Sequence, residues 1–132
     1  MKTLTETLKE IDFKPITDFS SMQQKQLFST LHLNLNEQKN IIIYAKITER
    51  IIEFSDNDNI RLWTTKLSLT SFVILNDKYE LYDKFIVPTY PFRIRNQYET
   101  TELNNIYETL ETELQQFDQF IPETEEQNIY EC

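Results

Sequence analysis

Glycine is missing altogether from the 132 residues of this chain, where about 7% is usual. That absence removes whole classes of chemistry. A phosphate-cradling loop, a dinucleotide-binding fingerprint and a Gly-flanked serine nucleophile all need a residue without a side chain where the backbone turns sharply or meets a phosphate. Cysteine and histidine occur once each, as Cys132 and His32. A zinc site needs three or four ligands of those types or carboxylates, so none is expected, and one cysteine makes no disulfide framework. Long apolar runs are lacking too. The longest, Ile41-Ile42-Ile43-Tyr44-Ala45, is far short of a bilayer span, and the N-terminal MKTLTETLKEIDF has acids and threonines where a signal peptide has an apolar core. The expectation is a cytoplasmic or otherwise intracellular protein with no membrane partner and no cofactor. The absence of Gly beside abundant Asn, Ile, Lys, Phe and Tyr also fits coding in an AT-rich genome, and a phage, mobile element, AT-rich bacterium or protist would all fit.

Basic residues are missing from one part of the chain. Residues 1–95 hold all 13 Lys and Arg with 12 acids, and residues 96–132 hold ten acids and no base, which together make the net charge of −9. The acidity is therefore local: a near-neutral body precedes an acidic C-terminal portion.

What is present suffices for a core. Hydrophobic residues are 39% and aromatics 13%, which argues against disorder, and the length suits a single domain. Thr3 to Glu6 has capping-box spacing, with Leu4, Leu8 and Ile11 on one helical face, predicting a helix over 4–11 that stops before Pro15. Ser21 to Gln24 predicts a second helix near 22–30. The alternation of Leu31, Leu33 and Leu35 predicts a half-buried strand over 31–36. Residues 40–54 and 60–65 read as a hairpin about the Asn/Asp-rich turn 55–59, where those residues substitute for Gly in left-handed conformations. Residues 67–75 and 79–87 read as a second hairpin, with Leu67, Leu69, Val73 and Leu75 on one face and Leu81, Phe85 and Val87 on another. Phe92 and Ile94 suggest a further edge strand after Pro88 and Pro91. Leu103, Ile106, Tyr107, Leu110, Leu114 and Phe117 recur at helical spacing behind Thr100 and Thr101 as caps, and Pro122 marks the end.

The expected fold is α+β: one domain over 1–120 with a central antiparallel sheet of about five or six strands, short N-terminal helices and a C-terminal amphipathic acidic helix, then an acidic tail over 121–132. Curled, such a sheet makes a small barrel of the oligonucleotide-binding type; left open, it carries the helix on one face.

Three isolated features carry little chemistry. Asp56-Asn57-Asp58 opens like a calcium loop, but Arg61 stands where the loop needs Gly and Leu67 where it needs a bidentate Glu. His32 alternates with Asn34 and Asn36 as a surface residue, and Glu49 with Glu53 makes an acid–base pair only if folding brings them together. No enzymatic activity is expected. The acidic helix is more informative. Glu102, Glu108, Glu111, Glu113 and Asp118 avoid the apolar stripe, with no Lys or Arg four residues away to pair with, and they reach a C-terminus whose dipole disfavours them. This points to a protein-binding domain whose acidic face meets a basic surface of a partner, its carboxylates standing in for nucleic-acid phosphates as in an inhibitor. In the tail, Ile129 and Tyr130 are candidate apolar anchors. An alternative is a single-strand nucleic-acid binder using Tyr44, Lys46, Arg50, Arg61, Trp63, Arg93 and Arg95, since such binders combine stacking aromatics with cations. A third reading is a small subunit of a larger assembly, with oligomeric state open.

Overall fold

The computed structural model of the chain describes residues 2–32, 40–56, 59–88 and 97–121, with side chains except at 54–56 and 59–63. It is an α+β structure. Helix α1 (Leu4–Glu10) leads through a two-residue strand β1 (Lys14–Pro15) and a 3-10 turn (Ile16–Asp18) to helix α2 (Ser21–Thr30). Strands β2 (Ile41–Asp56), β3 (Asn59–Asn76) and β4 (Leu81–Pro88) follow, then helix α3 (Gln97–Leu114) and a 3-10 segment (Gln115–Phe120). The sheet is antiparallel in the order β1-β2-β3-β4. No described helix is long and apolar enough to cross a membrane.

The sheet has four described strands rather than the expected five or six. Residues 60–65 and 67–75 are one strand, because one register runs unbroken from Ile41↔Asn76 to Ser55↔Leu62. The polar run Thr64-Thr65-Lys66 spans their junction. It contains no turn-forming residue, and Thr64 and Lys66 are simply exposed positions of a continuing strand. The strand expected at 31–36 also fails where it is described: Leu31 and His32 form the turn that ends α2. Residues 33–36 lie outside the described residues, as do Phe92 and Ile94. Among the described residues β1 and β4 are the outer strands and do not pair with each other, so a barrel is not formed by them.

Both faces of the sheet are covered, which makes residues 67–75 continuously buried; strands buried on both sides lose clean alternation. Leu67, Leu69, Val73 and Leu75 share one face as expected, packing with Leu4 and Leu8 of α1, Phe13, and Ile106, Leu110, Leu114 and Phe117. On the other face Phe72, Ile74, Ile43 and Ala45 pack with Ile16, Leu27 and Phe28. The register shift between Ile74 and Leu75 corrects one assignment. Leu81 joins the α1–α3 side, while Phe85 and Val87 join the α2 side. A bulge adds a residue to one strand and so flips the parity beyond it.

The helix starts follow their caps. Thr3 Oγ1 accepts from Glu6 N, and Ser20, one residue before the expected Ser21, forms a capping box with Gln23. Thr100 and Thr101 are not caps but lie inside α3, with Thr101 Oγ1 donating to the Gln97 carbonyl.

The absent glycine leaves a mark on the backbone. Asp12, His32, Asn40 and Tyr79 take positive φ, at 68°, 57°, 73° and 64°. Asn, Asp and His take this region more readily than other residues, whereas a bulky Tyr there is an outlier. At the β3–β4 turn, Asn76 Oδ1 accepts from the backbone N–H groups of Lys78 and Glu80, each at 2.9 Å, and this side-chain turn holds Tyr79 in place. Tyr79 is exposed, so its ring contributes little burial. Tyr79→Gly is expected to raise stability by about 0.5–1 kcal/mol, because the strain relieved exceeds the added chain entropy. Urea denaturation checks this; a loss of stability contradicts it.

Candidate functional site

Helix α3 is oriented by its apolar stripe. Ile106, Leu110, Leu114 and the following Phe117 are buried against the sheet. Phe117 meets Phe13 edge-to-face at 5.8 Å between ring centroids, a favoured aromatic geometry. Leu103 and Tyr107 are half-buried beside them. With this stripe inward, the rest of the helix circumference faces the rim of the sheet or the solvent.

The five acidic residues separate into two groups. Three are paired with cations of the sheet. Arg50 Nη1 lies 3.3 Å from Glu102, and Lys46 Nζ donates to both carboxylate oxygens of Glu113 at 3.0 and 3.1 Å. Lys84 Nζ pairs with Asp118 and also donates to the Leu114 carbonyl at 3.0 Å. This last contact places a positive charge at the end of α3, where the exposed carbonyls and the dipole favour it. The compensation that the helix lacks in its own sequence thus comes across from β2 and β4. Lys46 Nζ also sits 5.9 Å from the centre of the Phe13 ring. The other two acids, Glu108 and Glu111, are exposed and have no Lys or Arg within ion-pair distance among the described residues. Around them the hydroxyls of Thr109 and Thr112 are turned back onto the carbonyls of Asn105 and Glu108.

Reasoning from the sequence missed Glu99. It falls on the buried stripe, is fully buried, and accepts a 2.7 Å hydrogen bond from Thr65 Oγ1 of β3. The signal was present, because 99, 103, 106 and 110 share helical spacing. An acid at a core position of that pattern is a buried polar group that requires a partner.

The cations and aromatics of the nucleic-acid alternative are placed only in part. Tyr44, Lys46 and Arg50 stand opposite Val73, Ser71 and Leu67, on the face that α3 covers. Tyr44 is half-buried there, and burial holds its phenol above the usual range, with smaller contributions from Tyr79 and Asp18. Lys46 and Arg50 are two of the three cations just described as partners of α3 and the segment after it. The side chains of Arg61 and Trp63, and residues Arg93, Arg95, Ile129 and Tyr130, lie outside what is described. His32 is exposed after α2, and Glu49 forms an exposed ion pair with Lys66 at 3.1 Å; Glu53 is also exposed. Among the described residues no three His, Cys, Asp or Glu side chains converge as metal ligands do. Compared with known proteins, the chain matches no family model, no curated protein and no solved structure.

Proposed function

We propose that this chain is a non-enzymatic protein-binding domain, and that the outer face of α3 docks on a basic surface of a partner as a nucleic-acid mimic with inhibitory effect. The observation that carries this reading is the separation of charge along the chain. No base follows Arg95, and Glu108 and Glu111 stand exposed with no cation beside them among the described residues. Side chains three apart on a helix are neighbours, about 5–6 Å between Cβ atoms, so these two carboxylates offer a partner a close anionic pair. The ion pairs to the sheet narrow the docking surface. Glu102 and Glu113 are each about three-quarters covered and serve the fold first, while Asp118 is 54% exposed at its side chain and extends the pair towards the helix end.

The test is affinity capture from the native host with the wild-type chain and with Glu108→Lys and Glu111→Lys combined. Both positions are exposed, so the variant keeps its fold, which circular dichroism verifies. Capture of a basic protein should fall at least about ten-fold, an effect of roughly 1.4 kcal/mol. Equal capture by both chains rejects the reading. Capture that disappears after nuclease treatment favours a single-strand binder, and capture of a stoichiometric assembly insensitive to the charge reversal favours a subunit role.

A further inference from the structure

Helix α2 lies on the opposite face of the sheet from α3 and differs from it in charge. Its ten residues, SMQQKQLFST, hold one base and no acid, in a chain of net charge −9. Leu27 and Phe28 are buried against the sheet and set the roll of the helix. Lys25 and Ser29 are four apart, as are Gln26 and Thr30, so the four make two adjoining rows on the helix surface. Between these rows and the end of β4, at Val87 and Pro88, lies an open cleft of about 740 Å³, with His32 also in its lining. Its volume falls within the roughly 300–1,000 Å³ range of ligand clefts.

The polar lining is unevenly engaged. Thr30 Oγ1 donates to the Gln26 carbonyl at 2.8 Å, and the backbone N–H groups of Leu31 and His32 take the carbonyls of Leu27 and Ser29, each at 3.1 Å. These bonds occupy acceptors at a helix end whose dipole otherwise disfavours an anion. The Lys25 ammonium, the Ser29 hydroxyl and the His32 ring, by contrast, have no hydrogen-bond or ion-pair partner among the described residues. No Asp or Glu stands among the described lining, so the one fixed charge there is positive. All three groups are exposed, and water serves them in the free protein. A ligand group that replaces this water must carry negative charge to gain from Lys25.

We infer that the cleft between α2 and β4 binds a small organic carboxylate, its anionic group at Lys25 and Ser29 and its apolar body on Val87 and Pro88. One lysine balances one negative charge. The Ser29 hydroxyl and a ring N–H of His32 are donors that the two carboxylate oxygens can accept from. A carboxylate group fills only a small part of the cleft, and the remainder, walled by Val87 and Pro88, favours apolar surface removed from water. An inorganic anion gains the charge without the wall, and a neutral apolar molecule gains the wall without the charge.

The probe is 2-naphthoate, titrated into the isotope-labelled full chain and followed by NMR of the backbone amides and of the ring of the single histidine. Shifts should concentrate on Lys25 to His32 and on Val87, with the His32 ring signals moving in step. Naphthoate should bind about five-fold more tightly than neutral 2-naphthamide, the gain that one exposed charge pair supplies, and more tightly than acetate. In Lys25→Gln protein the preference over the amide should vanish while naphthamide binding stays. Lys25 is exposed, so this variant keeps its fold, which its amide spectrum verifies. Absence of shifts at these residues, equal binding of naphthoate and naphthamide, or a preference that survives Lys25→Gln overturns the inference. So does acetate binding as tightly as naphthoate, which leaves the apolar wall without a role. None of these outcomes depends on Glu108 or Glu111 across the sheet, so the two surfaces are tested separately.

Discussion

Truncation of Phe117 to alanine is expected to remove about 3–5 kcal/mol of stability, the range for deleting a large buried aromatic. Domains of this kind hold roughly 5–15 kcal/mol in all, so the variant should sit near the edge of folding at room temperature. Phe117 is fully buried and its ring meets Phe13, which joins the 3-10 segment after α3 to the chain between α1 and β1. The cost combines lost burial, an unfilled cavity and a lost aromatic pair. Urea denaturation measures it. Where the alanine variant does not fold, Phe117→Leu keeps most of the volume and should show a smaller loss in the same direction. A loss below about 1 kcal/mol for alanine means that the segment contributes little to the core.

The next largest effect is expected from Thr65→Val. Valine keeps the shape of threonine and removes only the hydroxyl that donates to buried Glu99 at 2.7 Å. Removing one partner of a buried polar acceptor costs about 1–3 kcal/mol, because that acceptor bears part of its desolvation cost. Glu99 has at least one further interaction, which places the expected loss towards the lower end. The comparison variant is Lys66→Met, one position along and exposed, where an exposed ion pair contributes about 0–1 kcal/mol. Chemical denaturation of both variants should show Thr65→Val as clearly the more costly. Equal effects contradict a structural role for the Thr65–Glu99 bond.

These two sites show where the sequence was legible. Phe117 is visible as the last member of a stripe with helical spacing, and the structure keeps every member of that stripe against the sheet or half-buried beside it. The stripe needs only periodicity, which is a local property. Glu99 belongs to the same periodicity but was not read that way, because its acceptability in a core depends on Thr65, 34 residues earlier in the chain. The strand count failed for a related reason. Whether Thr64-Thr65-Lys66 ends a strand or merely faces solvent depends on its partner, and β2 supplies one continuous register through it.

Composition and periodicity alone determined the α+β class, the helices at both ends, the shared face of Leu67, Leu69, Val73 and Leu75, and the confinement of the net negative charge to residues after Arg95. All of these follow from the order of residues within short windows. Only the tertiary structure decided how that charge is used. It paired Glu102, Glu113 and Asp118 with Arg50, Lys46 and Lys84, left Glu108 and Glu111 exposed, and buried Glu99. Ion pairing acts across space between elements far apart in the chain, so a helix whose charged residues are all acidic can still find its counter-charges on the sheet beneath it.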